Sequence, residues 1–343
     1  MMEKLNWGII GLGEVAEKFS EGFFDVDNAN LLAVSSKDEG KLENFRQQFN
    51  IEKKFSFKNY DDLINCNEID IIYIALPNSL HHELIIRCIE NNKHILVEKP
   101  ATLNFNQIEN IQKNLLNKNI FFSEAFMYRY LPQINLITKL IEDQEIGNLL
   151  SMESSFGINL LFKKRLFFFN KKKKIDKKNR LFNQELGGGC ILDLGCYTSS
   201  FSIFISLLKN KLNINEFKVL NIKKEIGETK VDIDASAELL FNDGFKSKIN
   251  ASFKKDLGKR SKIYGDEGSL IINDTWLGSK NIIHVKNKKN RIISTNMDLN
   301  IYSYQIFNIS KDIIKGNKKP SFPGTSFYET FSNMKIIDEW LNG

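Results

Sequence analysis

The residues best placed to do chemistry stand at the ends of apolar runs. In Lys93-His94-Ile95-Leu96-Val97-Glu98-Lys99-Pro100, residues His94–Val97 read as a buried strand that stops on a charged pair and a proline. Strands of a parallel sheet are nearly continuously apolar because helices cover both faces, and ligands sit beyond their carboxyl ends. A lysine delivered there, with proline barring further ladder pairing, stands where a ligand can be held or protonated. A surface Glu-Lys in a turn is the plain alternative, and the residues upstream decide between the two.

Upstream, Trp7-Gly8-Ile9-Ile10 is a short apolar strand leading into Gly11-Leu12-Gly13-Glu14-Val15-Ala16, a G-x-G-x-x-A turn that opens a helix over Val15–Phe24. This is the context of a dinucleotide fingerprint. Gly11 permits the tight turn, Gly13 lets the backbone approach a pyrophosphate, and Ala16 allows close helix–strand packing. The helix N-terminus offers amides and positive dipole to phosphates. A second strand, Leu31–Ser35, follows at the right interval. An NAD enzyme usually places an Asp or Glu at its end for the ribose; this chain has Ser36-Lys37 instead. A hydroxyl and a cation suit a 2′-phosphate that a carboxylate would repel, so NADP(H) is the expected preference, with NAD still possible. Asp38 and Glu39 come just after, expected in the first turn of a helix over Lys41–Phe49.

The strongest strand, Asp70–Leu76, ends in Pro77-Asn78-Ser79, with Ser79 expected to cap a helix over Leu80–Asn91. That turn should face the cofactor, which makes Leu76, Pro77, Asn78 and His81 candidates for the nicotinamide side. His81 reads equally as a polar first-turn residue. A helix over Phe105–Leu116 and a strand over Ile120–Ser123 complete repeated βα units across 5–124. These predict an α/β fold, a doubly wound parallel sheet with right-handed crossovers. From Leu149 onward the pattern alternates with period two over Leu149–Phe156, Phe217–Ile226, Ala235–Phe241, Phe245–Phe253, Lys259–Tyr264 and Ser269–Ile272. Asn242-Asp243-Gly244 and Gly265–Gly268 punctuate hairpins, and Thr325–Leu341 reads as a closing helix. The expected division is a dinucleotide-binding domain over 1–124 and an α+β domain with an open, mostly antiparallel sheet over 125–343.

Composition narrows the class. Of the net charge of +6, the stretch Lys163–Arg180 supplies ten Lys/Arg against the single acid Asp176, leaving the remainder slightly acidic. A nucleic-acid reader would spread its basic residues over a face, so no nucleic-acid partner is expected and the run reads as a solvated insertion. Phe167-Phe168-Phe169 beside Lys171–Lys174 could touch an anionic membrane surface, the less favoured reading. No apolar run is expected to approach the roughly 18 residues of a membrane helix. Cys66, Cys88, Cys190 and Cys196 form no CxxC and no ligand-spaced cluster with the histidines. Free thiols suit a reducing, cytoplasmic setting, and no metal site is expected.

The ordered set of the Gly11–Ala16 turn, Ala75–His81, Glu98-Lys99-Pro100, Glu124-Ala125-Phe126-Met127-Tyr128-Arg129-Tyr130 and Gly187-Gly188-Gly189 resembles the Gfo/Idh/MocA oxidoreductase family. Arg180-Leu181-Phe182 before Leu186–Gly189 looks closest to its dihydrodiol dehydrogenase and NADP-dependent xylose dehydrogenase branch. Leu131, where that branch often has histidine, and the lysine-rich loop depart from the pattern. The resemblance implies that Glu98 contacts the cofactor, that the Lys99–Pro100 bond is often cis, and that the Asp193-x-Gly195-x-Tyr197 segment faces the nicotinamide beside Lys99. It also implies a homodimer or homotetramer built on the second domain's sheet. Oxidising an alcohol removes a hydride from carbon and a proton from oxygen, so a proton acceptor must lie within hydrogen-bond reach. Lysine and tyrosine both titrate near 10, but an ammonium lowers a phenol's pKa and burial lowers the lysine's. Lys99 and Tyr197 are therefore the expected proton-transfer residues, with Asp193 orienting a hydroxyl or the lysine. Arg129 is expected either to contact substrate or to form a structural ion pair. The expected activity is NADP(H)-dependent oxidation or reduction of a sugar, polyol or cyclic diol. The alternatives are an NAD-dependent nucleotide-sugar or inositol dehydrogenase, and a sensor that binds NADP without turnover.

Overall fold

The computed structural model describes residues 4–164, 170–210 and 216–343. It resolves into two compact units, one made of the chain up to Leu131 plus Met297–Thr330, the other of Pro132–Asn296 plus Phe331–Gly343.

The first unit contains β1 (Leu5–Ile10), α1 (Glu14–Glu21), β2 (Ala29–Ser35), α2 (Glu39–Gln48), β3 (Ser56–Phe57), α3 (Tyr60–Ile64), β4 (Ile71–Ile74), α4 (His81–Glu90), β5 (His94–Val97), α5 (Phe105–Leu115) and β6 (Phe122–Glu124). The six strands run in the order β3-β2-β1-β4-β5-β6, every pair parallel. Ile71–Ile74 and Ile95–Val97 are fully buried, as a sheet covered on both faces requires. The expected parallel α/β sheet is present, and its strand order reverses between β1 and β4, so the ends of β1, β2 and β4 open a crevice for a ligand.

Three local expectations differ. The helix expected to run to Phe24 stops at Glu21 and tightens into a 3-10 turn over Gly22–Asp25. A Cβ on Gly22 would lie 3.0 Å from Ile306 and from the Ser303 amide, so another element packs directly on it. Ser79 does not cap α4: Asn78–Leu80 form a 3-10 turn and the helix begins at His81 without a side-chain cap. The division expected at 124/125 is replaced by one in which a later segment belongs to the first unit. That segment carries a helix over Ile301–Ile314, whose Ile306 and Ile309 are fully buried. Its Ser310 hydroxyl accepts the Trp7 indole N–H at 3.0 Å, its Phe307 carbonyl accepts from Asn28 at 2.9 Å, and its Ser303 donates to Asp25 at 2.9 Å.

In the second unit lie α6 (Pro132–Glu142), β7 (Leu149–Gly157), β8 (Phe162–Lys164), β9 (Asn170–Lys172), α7 (Cys196–Lys209), β10 (Phe217–Ile226), β11 (Asp232–Phe241), β12 (Lys246–Ser252), β13 (Ser261–Gly265), β14 (Gly268–Ile272), β15 (Asn281–Lys286) and β16 (Lys289–Ser294). The helix in the first unit is α8 (Ile301–Ile314), and α9 (Phe327–Asn342) closes the chain. Eight strands form one sheet, β10-β11-β12-β7-β13-β14-β15-β16, antiparallel except where β12 meets β7. β8 and β9 pair antiparallel as a separate two-stranded sheet in the first half of the lysine-rich stretch; Phe167–Phe169 lie outside the described residues.

One expectation on apolar runs is corrected. The helical stretch Gln184–Lys209, 26 residues, is long and apolar enough to cross a membrane, but 89% of its apolar window is buried inside the protein. A helix that is apolar all round and buried is a core helix.

Candidate active site

The dinucleotide turn is built as its glycines require. Gly11 has φ +92, and a Cβ there would lie 2.7 Å from the Ala75 carbonyl oxygen, so only glycine fits. A Cβ on Gly13 would meet nothing within 4 Å, because that face opens into a cleft of about 310 Å³ lined by Gly11, Leu12, Gly13, Ser36, Lys37, Asp38, Lys41, Tyr60, Ala75, Leu76 and Pro77. α1 starts at Glu14 with no side-chain cap, which leaves its first amides as donors for an anion. The free amides of the helix start and the lysines of the cleft suit the phosphates of a dinucleotide. Of the expected cofactor residues, Glu14, Val15 and Ala16 open the helix behind the turn, with Ala16 fully buried. Lys41 and Tyr60 were not anticipated. Lys41 lies four residues after Lys37 in the first turn of α2, and Lys37 stands over the Tyr60 ring at 5.3 Å. Ser36 accepts from the Asp38 amide at 3.1 Å, and the Asp38 carboxylate caps α2 by accepting from the Lys41 amide at 3.0 Å.

The Glu98-Lys99-Pro100 turn follows β5 directly, with the Lys99–Pro100 bond cis. The Tyr73 hydroxyl donates to Glu98 Oε1 at 2.5 Å, and Glu98 Oε2 accepts from the Lys99 amide at 3.3 Å. Tyr73 is itself fixed by Phe19 of α1, their ring centroids 4.1 Å apart. His81 is wholly buried, with Nδ1 3.0 Å from the Pro100 carbonyl oxygen and Nε2 2.8 Å from that of Leu76. Both of its ring nitrogens therefore face backbone carbonyls inside the protein, at the first turn of α4. Burial pushes its pKa down to about 4, against the backbone carbonyls that favour the charged form. Asn78 is also buried, while Leu76, Pro77, Glu98 and Lys99 are half-buried. Glu124, the last residue of β6, accepts from the Ala101 amide at 3.0 Å, and burial pushes its carboxyl up to about 8. Neither partner of the Lys99–Ala101 backbone was anticipated from sequence.

Within the second unit, Asp193 and Tyr197 share one helical stretch that begins as a π-turn over Ile191–Gly195 and continues as α7. A π-turn inserts an extra residue and frequently marks a functional position. Asp193 accepts from Arg180 at 3.1 Å, and its side chain is 13% exposed. Tyr197 sits in an aromatic nest, its ring centroid 5.4 Å from Phe156 and 5.5 Å from Trp276. The stretch is capped from a distance: Asp232 of β11 accepts from the Ile191 amide at 2.7 Å, and Gly189 (φ +119) is the residue that lets it in, since a Cβ there would lie 2.3 Å from Asp232 Oδ1. Arg129, the other expected substrate residue, is 1% exposed and donates to Glu329 Oε1 at 2.7 Å, the ion-pair alternative of its two readings.

A parallel-sheet unit with a glycine-turn cleft, joined to an open-sheet unit, defines an NAD(P)-binding oxidoreductase. The chain belongs to the Gfo/Idh/MocA family: residues 5–126 match its oxidoreductase domain with NAD-binding Rossmann fold, and 134–271 match its C-terminal domain. It is 26% identical to trans-1,2-dihydrobenzene-1,2-diol dehydrogenase of Xenopus tropicalis over 98% of this chain and 96% of that protein. It is 24% identical to dTDP-3,4-didehydro-2,6-dideoxy-alpha-D-glucose 3-reductase of Saccharopolyspora spinosa over 80% of this chain and 76% of that one. In fold it is similar to aldose-aldose oxidoreductase from Caulobacter crescentus, crystallised with glycerol, with TM-score 0.84, 19% identity and coverage of 98% and 96%.

Proposed function

We propose that the protein is an NADP(H)-preferring dehydrogenase or reductase that acts on a hydroxyl or carbonyl carbon of a sugar, polyol or cyclic diol. The observation that carries the cofactor preference is the end of β2. Ser36, Lys37 and Lys41 line the cleft there, and the carboxylate that lines it with them, Asp38, is engaged in capping α2. Two ammonium groups and a hydroxyl suit a 2′-phosphate. The names of the relatives, a diol dehydrogenase, a sugar 3-reductase and an aldose-aldose oxidoreductase, support the substrate class. A related 3-ketoreductase from Actinomadura kijaniata was crystallised with NADP, which supports the cofactor.

When bound, the nicotinamide supplies the acceptor or donor of the hydride. Lys99 and Tyr197 move the proton at the reacting oxygen, and Asp193, held by Arg180, orients a substrate hydroxyl. Glu98, held by Tyr73, fixes the cofactor side of the turn. The second unit's sheet serves substrate binding and assembly into a homodimer or homotetramer. Four free cysteines support a reducing, cytoplasmic compartment. Binding of NADPH and NADH, followed by incubation with NADP⁺ and a panel of aldoses, inositols and diols, tests the reading. NADPH should bind at least about tenfold tighter and reduced cofactor should accumulate with a sugar or diol. Tighter NADH binding overturns the preference; silence across the panel overturns the activity.

A further inference from the structure

We propose that His81 and Glu124 are positioning residues for Lys99, two buried side chains that hold the backbone just beyond it from both neighbouring strands of the sheet. The proposal rests on the reading of Lys99 as a proton-transfer residue, and the geometry is independent of it. Where β5 ends, Pro100 has no N–H to continue a ladder. The next backbone groups, the Pro100 carbonyl and the Ala101 amide, belong to buried residues, and buried backbone polar groups require partners. Ordinary strand ends find them in water or in the following turn. Here the partners are side chains: His81 Nδ1 at 3.0 Å from the Pro100 carbonyl oxygen, and Glu124 Oε1 accepting from Ala101 at 3.0 Å.

The sheet order explains why these two residues reach the same turn. β5 lies between β4 and β6. His81 opens the helix that follows β4, and Glu124 is the last residue of β6. His81 Nε2 also lies 2.8 Å from the Leu76 carbonyl oxygen, so the ring packs between the end of β4 and the turn after β5. Both side chains are 0% exposed, so neither has a second role at the surface. A neutral imidazole has one N–H for its two carbonyl neighbours, and a neutral carboxylic acid can still accept from an amide through its carbonyl oxygen. Removing either partner strands a buried polar group. A displacement of about 1 Å in a reacting group can cost on the order of 100-fold in rate. The turn after β5 is therefore held by side chains as well as by its own backbone.

The test uses the full chain and the variants His81→Phe, Glu124→Leu and Glu124→Gln. The first readout needs no substrate: the pH dependence of Lys99 acetylation by acetic anhydride, located by peptide mass spectrometry. The second is kcat and KM for the most active diol or aldose with NADP⁺, and the third is Tm. His81→Phe and Glu124→Leu should move the labelling midpoint of Lys99 by at least about half a pH unit. They should lower kcat about ten- to 100-fold with KM within about threefold. Glu124→Gln keeps an accepting oxygen without charge and should restore kcat, measured at about pH 7 where Glu124 is itself largely protonated, to within about threefold of wild type. If the larger changes prevent folding, Glu124→Asp and His81→Asn, which withdraw the same groups by shortening them, should lower kcat about three- to tenfold with the same labelling displacement. Folded variants with wild-type labelling and kcat overturn the proposal, as does Glu124→Gln behaving like Glu124→Leu. Undiminished turnover in Lys99→Met would sink the role of Lys99 alone; the labelling result still decides whether His81 and Glu124 hold it.

Discussion

The turn that carries Lys99 and the helix start that carries Asp193 and Tyr197 each present polar groups, but different forces hold them. At Lys99 the positioning is polar and titratable. Tyr73 holds Glu98, His81 engages Pro100, and Glu124 accepts from Ala101, through contacts of 2.5–3.0 Å. At Asp193 packing and backbone geometry join the polar contacts: a π-turn sets the register, Gly189 admits the Asp232 carboxylate to the Ile191 amide, and Phe156 and Trp276 flank Tyr197. Hydrogen bonds to backbone fix position finely but depend on protonation. Aromatic packing and a glycine gap are indifferent to pH and intolerant of volume.

The largest expected effect compares the two regions directly. Lys99→Met and Tyr197→Phe should each lower kcat/KM by about 10²–10⁴, the range of general acid–base catalysis, measured as formation of reduced cofactor. A loss under about tenfold in either removes that residue from proton transfer and leaves one region without a catalytic role. Next is Gly189→Ala. With φ +119 and a Cβ 2.3 Å from Asp232 Oδ1, it should cost about 2–4 kcal/mol in urea unfolding, from backbone strain plus overpacking. A cost under about 0.5 kcal/mol would show that the cap from Asp232 is dispensable.

The third effect concerns pH and belongs to the turn. Glu124 is raised to about 8 from 4.5, so between those values the folded state binds more protons than the unfolded one, and stability falls as pH rises through that window. Glu124→Gln should flatten this fall across about pH 5–8 in denaturant titrations, and an unchanged slope would place the proton elsewhere. Smallest is Phe156→Leu, which opens one side of the Tyr197 nest and should cost about 1–2 kcal/mol. It should leave the pH slope as in wild type, and a changed slope would blur the contrast between the two regions.

The two regions were also unequally legible from sequence. The Gly11–Ala16 turn, the strand ends and the Ser36-Lys37 departure depend on residues a few positions apart, so periodicity and glycine spacing reveal them. The partners of the Lys99 turn do not follow from local pattern. His81 reads as a polar residue in a first helical turn, and only the sheet order brings it to Pro100, 19 residues later. Arg129 finds Glu329 across 200 positions. β15 and β16 escaped notice because their turn uses Asn287 and Lys288 at φ 50 and 60, where a hairpin signal normally relies on glycine. The helix α8 was missed for a related reason: its amphipathic face says that it packs, and nothing in it says on which unit.

That return of Met297–Thr330 to the first unit has a consequence for biosynthesis. A chain emerging N-terminus first exposes the strand bearing Trp7 long before Ser310, the hydroxyl that accepts its indole N–H, has been translated. The nucleotide-binding unit is thus begun first and completed late, after the whole of Pro132–Asn296 has left the ribosome. During that interval the surface that α8 will cover is open.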